Sequence, residues 1–442
     1  MQTAAAIDQL FPAHLASLTR VADRALSAAG AEALMIAAGF AKYRFLDDQS
    51  DPFVASPHFK AWVPILDAPG SFLIYVPGRR PILIFHQPED YWHKPPALPS
   101  GAWLSEFEVR VIRAPTEARA QVPAGTAFVG ASFTGSEEWG FTSVNAPALL
   151  NVLHYARARK TPYELACLRR ASSAGAAAHR AAARAFAAGA SEYEIHLAYL
   201  AASGHTESEL PYPNIIALNQ SGAILHYTNL SREHPAERRS FLIDAGAQHR
   251  GYACDITRTH AAGSGAFAEL VARFELLEQS LCAMVTPGTA YPDIHIAAHR
   301  LIGELLVELG VITCSIDEAV AAGITSVFFP HGVGHLLGLQ VHDIGGHQAS
   351  EQGGTLAQPA GHPYLRMTRR LEAGMVVTIE PGLYFIDLLL AQARQDGRAR
   401  HIDMGVVEQY APYGGVRIED DVVATSNGPE NLTRAAFAAL PH

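Results

Sequence analysis

The sequence predicts an α+β fold in two parts: an N-terminal mixed α/β domain and a C-terminal domain of helices and antiparallel strands. Three observations predict it. The chain has 442 residues, more than one typical hydrophobic core accommodates. Residues 33–140 alternate short β-like runs with helical and loop segments. Beyond residue 160, long helical patterns come first and strand-rich stretches later, as when helices cover one face of a curved sheet.

Taken in order, residues 1–30 spread acidic and basic groups along an amphipathic pattern, so they read as a helix packed on a domain and not as a signal peptide. EALMIAA, SFLIYVP, RPILIFH, EVRVIRA and TAFVGAS then read as strands. Loops 43–53 (YRFLDDQSDPF) and 88–94 (PEDYWHK) are long and rich in aromatics, a property of loops that lid a site or touch another chain. The boundary is placed near Lys160, giving domains 1–160 and 161–442. There Thr161-Pro-Tyr-Glu164 forms a capping box with proline at the first helical position. That helix stops at Gly189, and Ser191-x-x-Glu194 opens another that ends near Gly204. The strand NIIALNQ, the LHYTN run and a hairpin, LIDAGAQHRGYACDITRT at 242–259, follow. Two more helices, AFAELVARFELLEQSLCAM and PDIHIAAHRLIGELLVELG, precede the predicted strands SVFF, LLGLQVH, MVVTIEPGLYF and GVRIEDDVVAT.

Composition narrows the function. A hydrophobic fraction of 49% and a charged fraction of 17% describe a globular chain without a disordered tract. The formal charge of −10 argues against nucleic acid as a partner, since phosphates demand a basic surface. No apolar run approaches the ~20 residues of a membrane span. Cys167, Cys254, Cys282 and Cys314 are scattered without a CxxC pair, so reduced thiols and a cytoplasmic location are expected.

The chemistry is concentrated in the second half. Asp244 and Asp255 are equidistant from a turn placed at His249–Arg250, which predicts them directly opposite each other with Cβ atoms roughly 5 Å apart. Among Leu242, Ile243, Ala245, Tyr252 and Ile256 they would repel each other, and each buried, unpaired ion costs several kcal/mol, so a cation between them is expected. The segment FPHGVGHLLGLQVHD carries His331, His335 and His342. The four-residue step from His331 to His335 is the zincin spacing, yet the accompanying glutamate is missing and Gly332 and Gly334 disfavour a helix. An extended segment with His331, Val333 and His335 on one face is predicted instead. Glu380 in MVVTIEPGLYF and Glu419 in GGVRIEDDVV are acids inside apolar runs, where a carboxylate is rarely buried without a partner.

Asp244, Asp255, His335, Glu380 and Glu419, in that order and those settings, resemble the metal-ligand set of the pita-bread metallopeptidases. FLDDQSDPF, PHFKAW, PEDYWHK, KTPYELACLRRA, HGVGHLLGLQVHD, HPYLRMTR and TIEPGLYFID extend the resemblance to the bacterial Xaa-Pro dipeptidase (prolidase) branch over nearly the whole chain. The resemblance implies a pita-bread catalytic domain that hydrolyses Xaa-Pro dipeptides at the imide bond. It implies two divalent ions that activate a shared water, with Asp255 and Glu419 bridging them, Asp244 completing one shell, and His335 and Glu380 holding the other ion. Four carboxylates and one imidazole, with no thiolate, favour manganese over a structural zinc site. By the same resemblance Glu380 shuttles the proton, and His331 and His226 donate to the developing oxyanion. His342 and Arg417 support or line the pocket, and Arg366 grips the substrate's terminal carboxylate, which restricts cleavage to dipeptides. Tyr212, Leu225, Tyr291, Leu365 and Val341 are the candidate apolar walls. A homodimer is implied, with residues 43–53 or 88–94 closing the neighbour's site, and a side activity on organophosphate triesters. DPFVASPHF and 388–405 depart from the pattern, the second as a variable loop near the pocket. The alternatives are an aminopeptidase for longer peptides, which Arg366 argues against, and a non-catalytic binding module, which the complete ligand set argues against.

Overall fold

A computed structural model describes residues 4–441; residues 1–3 of the predicted first helix, and His442, lie outside it. Two compact units emerge. The first runs to Cys167, seven residues past Lys160, and also takes in 249–252 and 348–354. The second comprises 168–248, 253–347 and 355–442.

The first unit is built on one six-stranded sheet. Helix α1 (Phe11–Ala29) leads into β1 (Ala33–Ala37), followed by β2 (Phe72–Tyr75), β3 (Ile82–His86), β4 (Glu108–Ile112), β5 (Thr126–Val129), β6 (Ser143–Val144) and α2 (Pro147–Arg157). The strand order is β4-β3-β2-β1-β5-β6. The pairs β1–β2 and β2–β3 are antiparallel, whereas β1–β5 and β3–β4 are parallel. Central strands β1 and β2 are buried along their whole length, which explains why ALMIA and FLIY read as continuous apolar runs rather than alternating ones. On one face Met35, Phe72, Ile74, Ile84, Phe128 and Trp139 share a core.

The next helix, α3 (Pro162–Ala187), opens as the sequence predicts. The Thr161 amide donates to the Glu164 carboxylate at 2.8 Å, and the Glu164 amide returns a bond to Thr161 Oγ1. Helix α4 (Glu192–Ser203) repeats the device with Ser191 and Glu194. Strands β7 (Ile215–Leu218), β8 (Ser240–Asp244) and β9 (Thr257–Ala261) form an antiparallel sheet in the order β9-β8-β7. Helices α5 (Ala266–Cys282) and α6 (Tyr291–Glu308) follow. Toward the C-terminus come strands β10 (Val376–Ile379), β11 (Gly382–Tyr384), β12 (Gly415–Arg417), β13 (Asp420–Val423) and β14 (Glu430–Asn431), before the closing helix α7 (Leu432–Ala438). They make a β10-β13-β14 sheet and a β11-β12 pair. Among the described residues no helix is long and apolar enough to cross a membrane.

Three local expectations are overturned. SVFF is not a strand but part of a helical turn, Thr325–Phe328. The Thr325 carbonyl accepts the Phe329 amide and its hydroxyl meets His299 Nδ1, and these contacts outweigh β propensity. Within LLGLQVH only the start joins a strand pairing, through the Leu336–Val377 bridge. Residues 388–405 are largely helical, with helices Asp387–Gln395 and Met404–Tyr410. Leu390 and Ala393, one turn apart, are buried, and the Asp403 carboxylate caps the second helix by accepting the amides of Gly405 and Val406.

His179 on α3 is fully buried; Nε2 lies 2.9 Å from the Ala245 carbonyl and Nδ1 has no partner. Burial pushes its pKa down to about 3. The unfolded ring is protonated from about pH 6.5 downward, so the unfolded state binds more protons and stability falls as the medium is acidified below that point. His179→Gln, which keeps a donor, should flatten the stability–pH slope between about pH 6 and 4 by up to about 1.4 kcal/mol per pH unit, read from urea unfolding at each pH.

Candidate metal centre

The turn of the hairpin lies one residue later than the sequence suggested. Arg250 (φ 54°) and Gly251 (φ 84°) both take the left-handed region, as the two central residues of a type I′ turn require. Asp244 therefore faces Thr257. Ala245 N–H and Cys254 N–H bond to the carbonyls of Ile256 and Ala247, which continues the same register. Asp255 is thus displaced by two positions from Asp244, diagonal to it rather than directly opposite. A shift of two preserves the face, so both carboxylates still point the same way. The Tyr212 hydroxyl joins them, 2.9 Å from Asp244 Oδ1 and 2.5 Å from Asp255 Oδ1. Cys254, next along the chain, turns to the opposite face, with Sγ 3.4 Å from the Ala171 carbonyl.

His335 and Glu380 arrive together because 333–337 runs as an extra strand beside β10. The Glu380 amide donates to the Val333 carbonyl, the Thr378 amide to that of His335, and the Leu337 amide to that of Val376. Gly334 (φ 147°) permits this close approach, since a Cβ there would stand 2.2 Å from the Thr378 carbonyl oxygen. His335 Nδ1 lies 3.0 Å from the Leu336 carbonyl, which fixes its proton there and leaves the Nε2 lone pair facing the acids. Nε2 is 3.4 Å from Asp255 Oδ2 and 3.6 Å from Glu380 Oε1. Glu419 is brought in by its backbone N–H, which donates to the Thr257 carbonyl, and the Thr257 hydroxyl donates to Glu419 Oε2 at 2.7 Å. Ligand atoms of Asp255, His335 and Glu419 all lie within 4.8 Å of one another.

Electrostatics explain what such a cluster needs. Burial raises the pKa of Asp244, Glu380 and Glu419, with neighbouring carboxylates adding to the effect. Glu380 is pushed up to about 7, by burial first and then by Asp255 and Asp244, against the pull of His335 and Arg417. Asp255 alone moves down, because hydrogen bonds and charge from His335, and the Tyr212 hydroxyl, outweigh its burial. Arg417 neutralises one acid: it is 4% exposed, with Nη2 2.8 Å from Asp244 Oδ2. Bound cations would supply the missing charge, and an oxygen-rich set with one imidazole fits hard or borderline divalent ions.

The other predicted residues divide. Arg417 stands behind Asp244 and also donates to the Tyr384 hydroxyl at 2.9 Å, so it supports the cluster and does not line a pocket. His331 has both nitrogens engaged: Nδ1 lies 2.8 Å from the Gly332 carbonyl, and Nε2 is 2.8 Å from the Tyr384 hydroxyl. In this arrangement it has no N–H left for an oxyanion, contrary to expectation. Tyr212 is not an apolar wall, since its hydroxyl enters the acid cluster. Tyr291 is 0% exposed and donates to the Thr378 carbonyl, so it offers substrate no surface. Leu365 is also buried, whereas Leu225 and Val341 are half-buried. Leu225 packs on Ile215, Ala217, Tyr227, Leu242 and Tyr384. His342 is exposed, its ring edge-on to His335 at 4.4 Å. His226 is exposed and close enough to disfavour protonation of both His331 and His342. Arg366 is exposed, has no hydrogen-bond or ion-pair partner among the described residues, and adds its positive charge beside His342 and His347.

Sequence reasoning missed the supports. Asp421 accepts the Asp255 amide at 3.2 Å. Asp420 is enclosed by Arg258, Asn431 and Arg434. Both aspartates are fully buried. The signal was the uninterrupted RIEDD between apolar GGV and VVA, since adjacent strand positions cannot all face water.

Buried Asp255, His335 and Glu419, with the partly buried Asp244 and Glu380 beside them, offer a donor set that could hold a divalent metal. Residues 9–155 match the family described as "Xaa-Pro dipeptidase, N-terminal domain", and residues 166–426 match "Metallopeptidase family M24". A curated "Xaa-Pro dipeptidase" of Xanthomonas campestris pv. campestris (strain B100) is 48% identical over 439 residues, covering 99% of this chain and 100% of the relative. The protein of the same description from Stenotrophomonas maltophilia (strain K279a) is 48% identical, covering 97% and 98%. Among solved structures, aminopeptidase P from E. coli with the inhibitor Pro-Leu aligns at a TM-score of 0.72 and 24% identity, covering 98% of both chains. A zinc-substituted form of that enzyme with product aligns at 0.71 and 24%, covering 98% of this chain and 99% of the other. The fold is therefore the pita-bread fold, in the setting of a metal-dependent peptidase. The chain belongs to metallopeptidase family M24.

Thr257→Val removes the hydroxyl that donates to Glu419 while keeping the side chain's shape. It should weaken divalent-metal binding by about 10–100-fold, measured by competition with a chromophoric chelator.

Proposed function

We propose that the chain is a metal-dependent Xaa-Pro dipeptidase. The observation that carries this reading is the exposed, uncommitted guanidinium of Arg366 next to His342, beside the acid cluster. Neighbouring arginines are occupied: Arg369 pairs with Glu372, and Arg370 donates to the Gly288 carbonyl. A free fork of donors matches a terminal carboxylate bidentately, and a carboxylate required just past the cut limits the substrate to two residues. The relatives described as Xaa-Pro dipeptidases support the same substrate class.

In this reading Asp244, Asp255, His335, Glu380 and Glu419 hold two divalent ions, manganese by the hardness of the donors. When bound, such ions polarise the scissile carbonyl and acidify water. Glu380, only partly shielded and perturbed upward, takes the proton from the attacking water and delivers it to the departing proline nitrogen. Arg417, through Thr257, orients Glu419: its Nε donates to the threonine hydroxyl at 3.3 Å, which donates on to the carboxylate. His226 is the available donor to the developing oxyanion, and His331 joins it only if Tyr384 releases Nε2. Leu225, Val341 and His342 border the space for the proline ring. An organophosphate triester would meet the same pocket and metal ions.

We further assign residues 1–160 to dimerisation and site closure and 161–442 to catalysis. Supporting this, loops 43–53 and 88–94 expose Phe45 (91%), Tyr91 (86%) and Trp92 (76%), apolar surface suited to a second copy. Free thiols at all four cysteines fit a cytoplasmic setting.

Chelated enzyme should lose hydrolysis of Xaa-Pro dipeptides and recover it when single divalent metals are returned, manganese best. Retained activity after chelation would overturn the reading. Arg366→Ala should raise KM for an Xaa-Pro dipeptide at least tenfold, with little change toward the corresponding proline amide, whose terminus carries no charge. Equal effects on the two substrates would remove Arg366 from substrate recognition.

A further inference from the structure

Apart from the acid cluster, the second unit packs three histidines against one another, two of them buried. His295 and His299 are four residues apart on α6 and so share one face of it. His362 approaches from the segment that carries Arg366. Ring centroids lie 4.7 Å apart for His295–His299, 4.6 Å for His295–His362 and 4.5 Å for His299–His362. One ligating nitrogen from each ring falls within 4.8 Å of the other two. Both α6 histidines are 1% exposed, while His362 is half-exposed.

Hydrogen bonding does not account for this packing. His295 Nε2 lies 3.0 Å from His362 Nδ1, which satisfies one nitrogen of each ring and leaves His295 Nδ1 buried without a partner. His299 Nδ1 is 2.9 Å from Thr325 Oγ1, so a proton held there leaves the Nε2 lone pair available. Burial, with mutual repulsion between the rings, lowers the pKa of His295 to about 2 and of His299 to about 3. Neutral imidazoles are the form that binds metals.

We propose that His295, His299 and His362 form a third metal site, of the three-histidine type, for zinc or another late first-row divalent ion. Three nitrogens without a carboxylate suit zinc, nickel, copper or cobalt better than manganese, so this site and the acid cluster select different metals. At Zn–N distances of about 2.0–2.1 Å, tetrahedral nitrogens stand about 3.3 Å apart. The His295–His362 pair, at 3.0 Å, therefore has only to open by a few tenths of an ångström. His362 is the partly exposed member of the three, so its side is the one open to solvent. Occupancy ties His362 to α6 and restrains the segment that places Arg366, four residues later. Phe329 transmits the change toward the acid cluster, since its ring lies 4.8 Å from His299 and 4.9 Å from His331.

The test uses the full-length protein loaded with manganese, dialysed against dilute zinc chloride and analysed by atomic emission. Wild type should retain one zinc per chain more than His362→Gln, with equal manganese in both. His362 is half-exposed, so the variant should fold, which its thermal midpoint would check; His299→Gln serves as a second variant. With cobalt chloride, wild type should show the strong visible absorption of a tetrahedral nitrogen-ligated ion, and the variant should lose it. Equal zinc in wild type and variant would overturn the proposal, as would zinc uptake only by one-for-one displacement of manganese. Should the acid cluster bind no manganese, the zinc difference between wild type and His362→Gln still reads the histidine site by itself.

Discussion

Repulsion among buried carboxylates is the constraint around which the second unit is arranged. Asp244, Asp255, Glu380 and Glu419 come from four separate strands or strand ends, and the buried guanidinium of Arg417 pairs with the first of them. Left uncompensated, each charge carries a desolvation cost of several kcal/mol. Burial raises the pKa of three of them, which expresses that cost. A site of this kind stores destabilisation that divalent ions relieve on binding, which makes metal affinity and fold stability two views of one quantity.

Around the acids the chain has built neutral hydrogen-bonding partners that hold orientation without spending more charge. Thr257 holds Glu419, the Leu336 carbonyl turns His335, and Tyr212 spans the two aspartates. Arg417, Tyr384 and His331 form a continuous line of hydrogen bonds from Asp244 toward Glu380. Behind Glu419, Asp420 and Asp421 face inward as well, one held by Arg258 and Arg434 and the other by the Asp255 amide. These links couple the ligands, so loss of one support should be felt by several.

The segment from His362 to Arg366 connects two chemistries. One end leans on two neutral histidines of α6, and the other presents an unpaired positive charge beside His342. Between them Leu365 packs its backbone against Gly332, where a Cβ would stand 2.9 Å from the Leu365 Cα. The segment that carries His362 and Arg366 is therefore in direct backbone contact with the one that carries His331 and His335.

Local chemistry written in single residues was legible from the sequence. Capping boxes at Thr161 and Ser191, the buried runs ALMIA and FLIY, and the unusual acids at 380 and 419 are each signalled within a few neighbours. The extended character of the segment from Val333 was legible in the same way, whereas the five candidate ligands were proposed from their order and settings along the whole chain. Hairpin register was not, because it depends on which residues accept positive φ, and Arg250 does so here next to Gly251. Nor were the roles of Tyr212, Tyr291 and His331, since a ring's surroundings come from strands distant in sequence. By itself the sequence determined which groups are too polar to be buried alone. Only the tertiary structure decided which partners they meet, because burial and hydrogen bonding are properties of the packed chain and not of any segment of it.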